Sequence, residues 1–243
     1  MILSFELMML GIFTLIYIIV SLFVGLKIMA KYFEIKDKIL LYCGLSYLGI
    51  AIPWMGVALN FISIVFFNTI PSMELHFFVH GAIPPFTLWL WIVFNLKLSY
   101  IRQKIQKIII IISFIIAIIF QIIYIYIIFT DTMILGTLIN EIQVDYSPFS
   151  ELYLLIMAII MISLGFSLGF RSLKSDNKRI RLKGKLIISS FLLACFAYAL
   201  EIFVPVIAII ILARILVMFT AILFYGGYIL PKWMEKLFLK EGE

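Results

Sequence analysis

Charge is what this sequence has least of. Only 13% of its 243 residues are Asp, Glu, Lys or Arg, while 65% are hydrophobic; ordinary soluble domains carry about 25% charged residues. A soluble core of this length could not hide so much apolar surface, because such a domain still leaves about a quarter of its unfolded-chain surface exposed. Lipid is the solvent that fits. Two cysteines, Cys43 and Cys195, both lie inside apolar runs, which excludes a disulfide framework in exposed loops and leaves the redox compartment open. No Lys or Arg precedes the first apolar run. That run is also too long for a signal-peptide core and reads as a retained helix. The net charge of +6 does not point to nucleic acid, because no segment offers the folded basic face that nucleic-acid modules show.

What is present is a series of seven apolar runs long enough to span a bilayer, over 8–30, 38–66, 75–97, 107–129, 151–170, 186–204 and 206–230. They predict an all-α fold: a single domain over 1–243, built as an integral membrane bundle of seven transmembrane helices. The second run is overlong and carries Pro53, which predicts a kink or tilt. Pro84 and Pro85 should bend the third. Residues 186–230 could pass for one run, but a helix of that length would overshoot any bilayer. Pro205 interrupts it, so a tight hairpin is expected there, with Pro205 near the start of the seventh helix.

The charges test this count independently. All but one of the 19 basic residues fall in alternate connections. They are Lys27, Lys31, Lys36 and Lys38; then Lys97, Arg102, Lys104 and Lys107; then the run from Arg171 to Lys185; and finally Lys232, Lys236 and Lys240. The other connections hold acids instead: Glu6, Glu74, Asp131, Glu141, Asp145 and Glu151. The positive-inside rule then predicts a multi-pass protein of the cell membrane with its N-terminus outside and its C-terminus cytoplasmic. The tail from Pro231 to Glu243 sets Trp233, Leu237 and Phe238 among lysines, which suits a short interfacial helix.

The fourth span is apolar nearly all round, with Gln121 its main polar exception, and should face lipid. In the third, His76, His80, Pro84, Thr87, Trp91 and Asn95 share one face, which must turn toward other helices or a wet cavity. Ser46, Pro53 and Asn60 form a sparser stripe on the second span. Ser190, Ala194, Ala197, Tyr198 and Glu201 share a side of the sixth, and Arg214, Met218, Ala221, Tyr225 and Tyr228 a side of the seventh. Asn60, His76, His80, Tyr198, Glu201 and Arg214 all fall in the outer half of their helices, where a ligand arriving from outside would lodge. Trp91, on the histidine face, completes the candidate ligand-binding set.

Each candidate also has a plainer reading. Asn60 and Tyr198 suit interhelical hydrogen bonding. Trp54, Trp89 and Trp91 suit packing bulk. Glu201 and Arg214 are the opposite charges well placed to meet within the bilayer, either as a buried pair locking the hairpin or as ligand contacts. His76 and His80, four residues apart, invite a zinc reading, but there is no third histidine and Glu74 is off their face, so no metal or other cofactor is expected. Gly165 and Gly169 form a small-xxx-small pattern that permits close helix approach, internal or in a homo-oligomer. The seven basic residues from Arg171 to Lys185 fit topology and anionic headgroups, with a cytoplasmic signalling partner as the other reading. Retinal is excluded, because the last span, 206–230, contains no lysine for a Schiff base.

The stretch Tyr47-Leu48-Gly49-Ile50 through Trp54, with His80-Gly81-Ala82-Ile83-Pro84-Pro85-Phe86-Thr87-Leu88-Trp89-Leu90 in the next span, resembles the seven-helix sensor module of prokaryotic histidine kinases over residues 46–98. The whole chain also looks like uncharacterised archaeal seven-helix membrane proteins. The sequence given ends at Glu243 without a kinase or other output domain. The resemblance therefore implies a free-standing, receptor-like sensor that signals through a partner. Three functions are carried forward: a non-enzymatic sensor of a small or lipidic ligand; a channel or transporter lined by spans 2, 3, 6 and 7; and a membrane metal-dependent hydrolase using His76 and His80.

Overall fold

A computed structural model describes residues 3–204 and 206–239. Among them, seven helices are long and apolar enough to cross a membrane, and they mark a multi-pass membrane protein in contact with the bilayer. The first is α1 (Phe5–Ile35). The second is α2 (Lys38–Ile50) followed by α3 (Met55–Phe67), and the third is α4 (Met73–Gly81) followed by α5 (Pro84–Lys97). Then come α6 (Gln103–Thr130), α7 (Pro148–Leu173), α8 (Lys178–Phe203) and α9 (Ile207–Ile229), with a short α10 (Lys232–Phe238) after them. Helices suit lipid because every backbone polar group is satisfied within the segment. Their starts are marked in the sequence: Ser4, Asp37, Ser72, Ser147 and Asn177 each accept a first-turn N–H.

Both spans expected to be disturbed by proline are. Around Pro53 the second span tightens into a 3-10 turn over Ile52–Trp54, because proline lacks the N–H a helix needs and crowds the preceding turn. The third span stops at Gly81 and restarts at Pro84, after a break at Ala82 and Ile83. The turn expected at Pro205 lies outside the described residues, as do Lys240 and the tail's last residues; α8 ends at Phe203 and α9 starts at Ile207 on either side of that proline.

The fold departs from a purely helical one in the connection after α6. Gly136–Leu138 (β1) and Val144–Tyr146 (β2) pair antiparallel, with Thr137 opposite Asp145. Asn140 accepts the N–H groups of Ile142 and Gln143 and so closes the turn. Gly136, at φ 153°, begins the first strand in a conformation open to glycine. The hairpin lies folded onto the bundle: Leu135, Ile142 and Val144 are buried. Ile142 sits among Leu3, Leu7, Leu10, Phe61, Ile64 and Ile210, so it joins the ends of three spans.

At the opposite end the basic connections meet. Arg171 donates to the Leu98 carbonyl, Lys183 to the Tyr228 carbonyl, and Arg179 pairs with Glu235 of α10. Above this basic end, Tyr47, Trp91, Phe94, Phe191 and Phe224 fill the bundle as an aromatic layer. Gly165 and Gly169 serve an internal contact, because Cβ atoms there would meet Phe191 and Ile188 of α8. The fourth span stays peripheral, with only five buried side chains: Gln106, Ala117, Tyr124, Ile127 and Ile128.

Candidate functional site

The site grows from the break in the second span. An interrupted helix leaves a carbonyl without its usual donor, and His80 on α4 donates its Nδ1–H to the Pro53 carbonyl. That bond fixes the His80 tautomer and leaves Nε2 as a bare acceptor. Tyr146 of the hairpin lies flat on His80, with ring centroids 4.4 Å apart. Its hydroxyl is 3.1 Å from His80 Nδ1 and 3.4 Å from His76 Nε2, toward which it donates. The Tyr146 phenol is held above its ordinary pKa range, chiefly by desolvation and then by Tyr124 and Glu201. It therefore stays protonated and remains a donor.

One turn above, His76 lies against the backbone of α3 because residue 56 is glycine. A Cβ there would stand 2.7 Å from His76 Cε1. Asn60 follows Gly56 by one turn on the same face and is buried.

Trp54, beside the same break, organises the other half of the site. It stacks on Tyr198 at 5.6 Å and meets Tyr17 edge-on at 5.2 Å. The Arg214 guanidinium lies 5.3 Å from its ring centroid, within cation–π range. Arg214 also grips Glu201 with both terminal nitrogens, at 2.5 and 2.7 Å. This fork-to-fork geometry is the strong form of an ion pair. Only 4% of the Arg214 side chain is exposed against 26% of Glu201, so the pair reaches from the interior toward the edge of the bundle.

The cluster carries hydrogen-bonding capacity that the protein does not use. Both amide atoms of Asn60, Nδ1 of His76, Nε2 of His80 and Nε of Arg214 are buried without a partner. Buried polar groups in native proteins are overwhelmingly paired, so these atoms, like the unpartnered ones on Thr14, Tyr17, Ser21, Asn95, Gln121 and Tyr228, are unusual. Together they offer donors and acceptors in a site whose formal charges, Arg214 and Glu201, cancel. Among the described residues no group of three His, Cys, Asp or Glu side chains could hold a metal ion.

Of the candidates read from sequence, the structure sets Asn60, His76, His80, Tyr198, Glu201 and Arg214 at the hairpin end of the bundle. Trp91 is set apart. It lies in the aromatic layer and donates to the Met161 carbonyl. Tyr146, Trp54 and the Pro53 carbonyl belong to the site without having been singled out for it.

Compared with known proteins, the chain matches no family model and no curated sequence.

Proposed function

We propose that this protein is a receptor-like membrane sensor that binds a small or lipidic ligand between the hairpin and the break in the second span. In this reading the hairpin faces outside and the basic connections face the cytoplasm, as the charge division requires. The observation that carries the proposal is the contrast between the two halves of the bundle. One half holds unpartnered polar atoms of Asn60, His76, His80 and Arg214 beneath a folded cap. The other is filled chiefly by the rings of Trp91, Phe94, Phe191 and Phe224, with fewer unpartnered atoms, on Asn95 and Tyr228. A polar layer over an aromatic one suits a site that is occupied and vacated from one side. Among the described residues the histidines have no carboxylate partner, which speaks against hydrolase chemistry. Signal output would fall to the basic segment from Arg171 to Lys185 and a cytoplasmic partner docking there.

The test joins binding to flux. Purified protein is screened by thermal stability against small polar molecules and lipid extracts, in wild type and in Asn60→Leu and His80→Phe. A sensor predicts stabilisation by a ligand that both variants lose, and proteoliposomes that pass ions and small solutes at background rates. Flux through wild-type proteoliposomes that His80→Phe abolishes would replace this reading with a channel or transporter.

A further inference from the structure

The connection between the third and fourth spans carries a second site, unrelated to the first. A cleft of about 460 Å³ lies between the end of α5 and the start of α6, lined by Lys97, Ser99, Tyr100, Gln103, Lys107 and Ile110, among others. Among the described residues no acid pairs with its lysines. The described ion pairs at the basic end are Lys31 with Glu34 and Arg179 with Glu235, and neither involves this connection. No acidic residue occurs anywhere between Glu74 and Asp131, so Lys97, Arg102, Lys104 and Lys107 have no acid near them in sequence.

The backbone adds to the same sign. Two other long helices that start at this end are capped by Asp37 and Asn177. The start of α6 has Arg102 at the cap position, no side-chain acceptor and no acid in its first turn. The positive end of a helix dipole normally attracts acids; here it meets only cations. The carbonyls on the α5 side are already taken, Leu96 by Ser99 and Leu98 by Arg171. What the cleft presents is therefore the positive charge of Lys97 and Lys107 beside the amides of Gln103 and Gln106.

Its surroundings identify the source of the missing anion. Tyr100 is almost fully exposed, and Ile101, Ile105 and Ile108 present apolar surface beside it. A charged cleft flanked by exposed isoleucines on a membrane-length helix sits where headgroups meet acyl chains. We propose that this cleft binds the phosphate of an anionic phospholipid, with Lys97 and Lys107 on the phosphate oxygens and the isoleucines against the chains.

Native mass spectrometry of the full chain, titrated with phosphatidylglycerol and with phosphatidylcholine, tests the assignment. Wild type should retain one phosphatidylglycerol in preference to phosphatidylcholine. Lys97→Gln with Lys107→Gln should weaken that binding about tenfold or more, since each near-surface lysine contributes measurably to anionic-lipid attraction. Lys97→Arg with Lys107→Arg should keep it. Lys232→Gln with Lys236→Gln removes the same charge from the same end outside the cleft and should change little. Equal loss in both glutamine variants would show diffuse attraction and overturn the proposal, as would no preference for the anionic lipid. Displacement of the lipid by millimolar inorganic phosphate would reassign the cleft to a soluble anion and overturn it too.

Discussion

Arg214 is the one basic residue that topology does not explain, and the structure gives it two partners at once: the Glu201 carboxylate and the face of Trp54. Removing one member of a buried pair leaves the other uncompensated, which typically costs about 3–5 kcal/mol. Arg214→Met should therefore lower thermal stability sharply, and adding Glu201→Gln should recover much of the loss. Strictly additive effects in the double-mutant cycle would show that the two do not act as a pair. This contact was legible in the sequence by elimination, because an intramembrane charge needs a partner and few carboxylates were available. The role of Trp54 was not. A tryptophan in an apolar run signals packing of any kind, and only the turn at Pro53 aims it at Arg214. Trp91 lies in a different layer from the other candidates. Helical periodicity reports which way a side chain points but not which layer it fills, and Trp91 lies eleven residues beyond His80, roughly 16 Å along a continuous helix.

Among the elements, the hairpin was the least visible from sequence and has the largest effect on the site. Its strands are three residues each, too short for an alternating pattern to stand out from a polar connection. Nothing local in Tyr146 announces that it reaches two histidines some seventy residues away in sequence. The spans, by contrast, were plain in the hydropathy, and so were both proline breaks, because their causes are local and covalent. The cap yields a direct prediction. A thiol-reactive probe should label Asp145→Cys quickly and Ile142→Cys slowly, since Asp145 is exposed and Ile142 is fully buried. Tyr146→Phe removes the hydroxyl shared with His76 and His80, and should speed labelling at Ile142→Cys while leaving Asp145→Cys unchanged. Equal rates at the two cysteines would mean that the hairpin is not seated on the bundle in solution.

For the whole molecule, the division of charge between its two ends predicts the orientation. An impermeant maleimide applied to intact cells should modify Asp145→Cys and leave Asp176→Cys untouched until the membrane is permeabilised. The reverse pattern would invert the topology and with it the proposed direction of signalling. The prediction rests on nearly every cation of the chain, so no single substitution should flip it.

The seating of Ile142 among Leu3, Phe61 and Ile210 also has a kinetic consequence. A molecule that must wait for this hairpin to lift cannot associate at the rate at which it arrives. Binding would saturate at the opening rate of the cap as concentration rises, and association would fall below the about 10⁵–10⁷ M⁻¹s⁻¹ typical of docking onto a preformed surface. The same closure would delay departure. Occupancy would then track the average abundance of the ligand over the lifetime of the closed state, and brief fluctuations would pass unread.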